Sequence, residues 1–175
     1  KIVSWEDGYT LHEIKDFSGW VHLAMTFDGD EALLYINGSS DLYSGGGLVD
    51  SSATQTQASG SGATITYAAT TSAKFGADTS YSTSEDGVDA NSYFEGAINE
   101  VAIWDVALSS ANITAIYNSG NPGIDLTDAS SYDNEGDLQG YWKMDEGSGT
   151  SVADSSSSSN TLTLRNGVEF TPIFG

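Results

Sequence analysis

Apolar residues recur along this chain in short bursts, each closed by glycine, aspartate or asparagine. Trp20-Val21-His22-Leu23-Ala24-Met25-Thr26-Phe27 is apolar and aromatic, and Asp28-Gly29-Asp30 follows it with turn chemistry. Leu33-Leu34-Tyr35-Ile36 comes next and ends at Asn37-Gly38, so the stretch predicts two strands around an Asp-Gly turn. Ile2 to Trp5 and Tyr9 to Ile14, on either side of Glu6-Asp7-Gly8, predict a second hairpin. Ala63 to Ala68 and Ser72 to Gly76 predict further strands, as do Ala97 to Trp104, Leu138 to Met144 and Thr161 to Leu164. In the Ala97–Trp104 strand several apolar residues compete for the core, so burial on both faces or a bulge is expected.

A helical period occurs once, where Ile113, Ile116 and Tyr117 fall on one face behind a cap at Ser109 or Ser110. Gly120 suits the left-handed position that ends a helix, with Pro122 just beyond. Residues 39–62 are rich in Ser, Thr, Gln and Gly and predict a long loop, with room for a Thr-rich edge strand. Residues 78–91 form an acidic loop, and residues 121–137 are polar and acidic, like a linker. Many short strands, Gly-rich turns and one short helix near residues 109–118 predict an all-β, antiparallel β-sandwich.

Charge narrows the partners. Five Lys plus Arg against 25 Asp plus Glu leave a formal net charge of −20 among 175 residues. Such a surface repels phosphate backbones and anionic headgroups, so nucleic acid and membrane surfaces are excluded as partners. No apolar run approaches the ~20 residues of a membrane span, and no signal-peptide pattern opens the chain. The absence of cysteine removes disulfides, thiolate metal sites and thiol nucleophiles. With 38% hydrophobic residues and 11% aromatics, the composition supports a packed core rather than a disordered acidic tail.

Three stretches carry a family likeness. The first is Trp20 to Gly29 with Leu34-Tyr35-Ile36-Asn37-Gly38. The second is Phe94-x-Gly96-x-Ile98-Asn99-Glu100-Val101-x-Ile103-Trp104, followed by Ala107-Leu108-Ser109 and Ile116-Tyr117. The third runs from Gly140-Tyr141-Trp142-Lys143-Met144-Asp145-Glu146-Gly147 through Ala153-Asp154-Ser155 to Asn166-Gly167. Together they resemble the hairpin, closing strand with its helix, and opening strands of the concanavalin A-like lectin/glucanase superfamily, in its laminin-G-like form. The order differs from the family's, since the opening motif follows the closing helix. Residues 1–120 therefore read as the closing part of a sandwich, 121–137 as an acidic linker, and 138–175 as opening-type strands. Those last strands complete the same sandwich, complete a neighbouring copy by strand donation, or begin another domain of a longer protein.

The resemblance brings glucanase chemistry into question. Retaining members resemble E-x-D-x-E, which places two carboxylates on one strand face about 5 Å apart. Here Glu95, Glu100 and Asp105 lie five apart, an odd spacing that alternates faces, so no enzyme is expected. His12 reads as exposed, and His22 as a packing or hydrogen-bonding residue.

Calcium is the expected cation. Hard cations take several oxygen ligands, and the Glu85 to Asn91 loop offers Asp86, Asp89 and Asn91 shortly before Asn99, which stands at the family's acidic position. Asp133-Asn134-Glu135-Gly136-Asp137 resembles the start of an EF-hand loop, but lacks its glycine and its closing glutamate. Sugar stacking needs exposed aromatics, and Tyr43, Tyr81, Tyr93 and Tyr132 lie in or beside predicted loops, whereas Trp20, Trp104 and Trp142 lie on motif strands and read as core. Asn37-Gly38-Ser39 and Asn112-Ile113-Thr114 fit the glycosylation pattern. The resemblance thus implies a non-catalytic glycan-binding or adhesion module of an extracellular, cell-surface or virion-surface protein, with glycans or surface polysaccharide as partners. The alternative is a structural or decoration protein that contacts copies of itself or other subunits.

Overall fold

The computed structural model describes residues 19–29, 32–40, 74–78, 92–121 and 123–171. The expected strands at 2–5, 9–14 and 63–68 lie outside them. The described strands form four antiparallel pairs. These are β1 (Leu23–Phe27) with β2 (Ala32–Ile36), β3 (Ala77–Asp78) with β4 (Ser92–Tyr93), β5 (Val101–Trp104) with β6 (Leu138–Trp142), and β7 (Ser151–Val152) with β8 (Leu162–Thr163).

The β1–β2 hairpin follows its turn chemistry, with Leu23 opposite Ile36 and Phe27 opposite Ala32. It is apolar on both faces. Ala24, Leu33 and buried Tyr35 pack with Leu108 and Ile113, while Leu23 and Met25 on the other face are exposed, Met25 by 75%.

Among the described residues one α-helix, α1, spans Ser110–Tyr117. Ser109 caps it, its hydroxyl accepting from the Asn112 amide at 3.2 Å. The helix stops two residues before the expected glycine, because Asn118 itself takes the left-handed conformation (φ 47°) and its amide bonds back to the last turn. Tyr117 lies over the β2 turn, where a Cβ on Gly38 (φ +78°) would sit 2.7 Å from its ring, so Gly38 serves both the turn and the close approach. Thr114 Oγ1 donates to the Gly38 carbonyl at 3.1 Å and fastens the same contact.

β5 and β6 pair within the chain through a bulge. Ile103 faces Gly140 but Trp104 faces Leu138, which leaves Gln139 as the extra residue. The bulge resolves the competition in this strand pair. Leu138 and Tyr141 are three apart and would face opposite ways on a regular strand, yet both enter one core cluster with Leu126 and Tyr132. Ala102 and Trp104 pack into that cluster, while Ile103 turns outward. On the other face the Trp142 indole folds over Gly140, where any Cβ would collide with it, and lies 5.5 Å from the Phe75 ring. Trp104 and Ile116 touch both this cluster and the hairpin–helix cluster, which makes the two continuous.

Residues 121–137 read as a linker from their charge, but they pack as a strap. Leu126 and Tyr132 are buried to 5% exposure, and the Tyr132 hydroxyl donates to the Leu126 carbonyl at 2.7 Å while accepting from Trp104 Nε1 at 3.2 Å. Asn112 Nδ2 of the helix donates to Asn134 Oδ1, and Asn134 Nδ2 to Asp137 Oδ2, both at 2.8 Å. The strap is thus tied to the helix by side-chain amides as well as by apolar burial. Leu126→Ala is expected to destabilise the chain by about 2–5 kcal/mol in a denaturant titration, as for a buried leucine. A linker residue would cost less than about 0.5 kcal/mol.

Candidate functional site

The expected site residues do not converge within the described structure. Tyr43, Tyr81, Asp86, Asp89 and Asn91 lie outside the described residues, and Tyr93 is described only as part of the β4 backbone. Asn99 is half-buried just before β5. Tyr132, expected as a sugar platform, is a core residue whose ring meets Trp104 edge-on at 6.2 Å, so neither its face nor its hydroxyl is available to a ligand. The apolar environment of the strap outweighs its loop position. Trp20 departs in the other direction. Expected in the core, it sits just before β1 with 58% of its surface exposed, and Phe94 is equally open.

Among the described residues, no group of three or more His, Asp or Glu side chains is arranged to hold a metal ion. The calcium expectation therefore rests on the 86–91 loop, outside them. Within 133–137, Asn134 and Asp137 are engaged in the amide ladder to the helix, in keeping with a structural role. Asn112, in the second glycosylation pattern, is 8% exposed and its amide is engaged in that ladder, so the folded chain leaves no room there for a glycan.

The densest polar cluster gathers at the start of β5 and the end of β6. Glu100 adopts a left-handed backbone (φ 55°), a conformation that disfavours non-glycine residues, and its carboxylate accepts the Tyr141 hydroxyl. Lys143 Nζ pairs with Asp125 at 3.0 Å and lies 5.4 Å from the centre of the Tyr141 ring. Burial raises the Glu100 carboxyl above the ordinary glutamate range, and the bond from Tyr141 works against that rise. The Tyr141 phenol is pushed far up, by burial first and by Glu100 second, so it remains a neutral donor. Bonds from Thr127, followed by Lys143, hold Asp125 at about 2.

This arrangement is suited to holding strands together. Glu100 is committed to Tyr141, and Asp105 accepts from Gln139 Nε2 at 3.1 Å. Glu100 and Asp105 each have a partner on β6. Replacing Tyr141 by Phe removes a hydrogen bond that favours the Glu100 carboxylate. A carboxyl-carbon NMR titration should then find the Glu100 pKa higher than in the parent chain.

His22 joins hairpin to helix. Its backbone amide donates to Asn37 Oδ1 at 3.1 Å, and its ring lies 5.7 Å from the Tyr117 ring. Nδ1 is buried with no hydrogen-bond partner among the described residues, and burial lowers the imidazole pKa below 6.5. The unfolded chain therefore binds the proton more readily than the folded one. Stability is full above pH 6.5 and falls as the pH drops through the folded value. In thermal melts from neutral pH downward, His22→Leu should lose less stability across this window than the parent chain.

The family model of the concanavalin A-like lectin/glucanases superfamily, in its laminin-G form, matches residues 3–114. The chain belongs to that superfamily. No curated protein matches it, and no solved structure does. Among the described residues, no helix is long and apolar enough to cross a membrane.

Proposed function

We propose that this chain is a non-catalytic module that binds glycans, or adheres to surfaces bearing them, in an extracellular, cell-surface or virion-surface protein. Superfamily membership over residues 3–114 carries the reading. It is supported by the open Trp20 and Phe94 rings, which offer the flat apolar faces that sugars stack on, and by the structural engagement of Glu100 and Asp105. Tyr43, Tyr81 and Tyr93 belong to the same reading as further platforms. Asp86, Asp89 and Asn91, beside Asn99, would supply oxygen ligands to calcium. The described strand pairs fit an antiparallel jelly-roll sandwich.

One observation favours a second reading. Leu23 and Met25 are exposed side by side on the outer face of the hairpin, as expected of a structural or decoration protein that meets another subunit there. A glycan array probed with and without EGTA separates the two. Selective binding supports the lectin-like role, and its loss in EGTA adds calcium to it. A silent array together with concentration-dependent assembly in analytical ultracentrifugation supports the structural role instead. Soluble polysaccharides incubated with the chain should release no new reducing ends.

A further inference from the structure

The β7–β8 ladder sets two glycine-containing turns side by side. Ser151 pairs with Thr163 and Val152 with Leu162, and the Leu164 amide donates to the Thr150 carbonyl at 2.9 Å. The 147–150 turn precedes β7 and the Asn166-Gly167 turn follows β8, so both emerge at the same end of the ladder. Left-handed backbone at Gly147, Asn166 and Gly167 bends each turn away from the strand direction. Between them lies an open groove of about 480 Å³, a volume within the range of small-molecule clefts.

The lining is chemically mixed. Ser148, Asn166, Arg165 and Glu169 contribute polar groups, and Leu164 and Phe170 contribute apolar surface. Among the described residues the Arg165 guanidinium forms no salt bridge, whereas Lys143 is paired with Asp125. A guanidinium and a carboxylate thus line one groove without closing on each other. Arg165 offers only donors and Glu169 only acceptors, and together they carry no net charge. Vicinal hydroxyls, each both donor and acceptor, complement such a pair, while the apolar wall suits the C–H face of a pyranose ring. The net charge of −20 disfavours an anionic ligand entering from solution.

We infer that this groove is a subsite for a neutral saccharide unit, with Arg165 and Glu169 on adjacent hydroxyls and Phe170 against the ring. The inference rests on the glycan-binding reading above and adds a site distinct from the exposed Trp20 and Phe94 rings. The test titrates the full chain with lactose, maltose, cellobiose and laminaribiose, and with galacturonic acid as the charged comparison, following backbone amide shifts by NMR. With at least one neutral disaccharide, shifts should concentrate on Gly149, Asn166 and Gly167. Arg165→Ala and Glu169→Gln should each weaken that binding about tenfold, the loss expected for a hydrogen bond to a charged group. Both side chains are exposed, so the fold should tolerate the changes.

Binding that shifts the amides around Trp20 instead, and survives both substitutions, overturns the groove while leaving the glycan-binding reading intact. A preference for galacturonic acid overturns the neutral class. No shift with any sugar, alongside a silent array, overturns the groove and the broader reading together.

Discussion

Tyr141 is the residue on which the described part of the molecule turns. Its ring is 1% exposed within the strap cluster, its hydroxyl reaches Glu100, and Lys143 lies above it. Its amide donates to Asp154 Oδ1 at 2.8 Å, and its carbonyl accepts from the Ser155 amide at 2.7 Å. One residue therefore fixes the register of β5 against β6, the seating of the strap and the path of the chain towards β7. A buried tyrosine needs a partner for its hydroxyl, and Glu100, held in a left-handed backbone conformation, supplies it. The strained residue and the buried ring are two sides of one contact.

The carboxylates explain how so acidic a chain packs at all. With few lysines and arginines for pairing, acids turn to N–H groups instead. Asp154 accepts from the amides of Tyr141, Ser156 and Asn160; burial opposes its ionised form, but these bonds outweigh that and hold its pKa below the usual value. Asp125 and Asp128 close turns in the strap by accepting from the amides of Thr127 and Ser130. Glu146 accepts from the Ala153 amide beside β7. Backbone capping of this kind is local and short-ranged, so it survives salt better than exposed ion pairs do. These four carboxylates thus do architectural work among the described residues.

Features set by neighbours in sequence were legible from it. The hairpin turn at Asp28-Gly29, the helix with its Ser109 cap and the strand from Leu138 all rest on local chemistry, and they stand where that chemistry places them. The strap was not legible, because two apolar residues, Leu126 and Tyr132, are hidden among many charges, and only their tertiary partners reveal that both are buried. Nor was the bulge at Gln139, since alternation alone cannot show which residue is left unpaired. Trp20 looks like core because it opens an apolar run, yet the strand begins only at Leu23 and leaves the indole outside the ladder. The groove between the β7 and β8 turns draws on residues some twenty apart in sequence (Ser148 to Glu169), and nothing local joins them.

The boundary of the family match acquires a physical meaning from the packing. The matched region ends at residue 114, inside α1. Yet Ala102 and Trp104, both within it, pack against Leu126, Tyr132, Leu138 and Tyr141, all beyond it. Trp104 Nε1 also has its hydrogen-bond acceptor there, in Tyr132. The ladder partner of β5 is β6, so without the later residues β5 would present an unpaired edge flanked by an exposed indole. A packed core is set by what touches, and here the contacts of the matched region continue well past its end. The later strands are accordingly part of what gives the superfamily segment its shape in this chain.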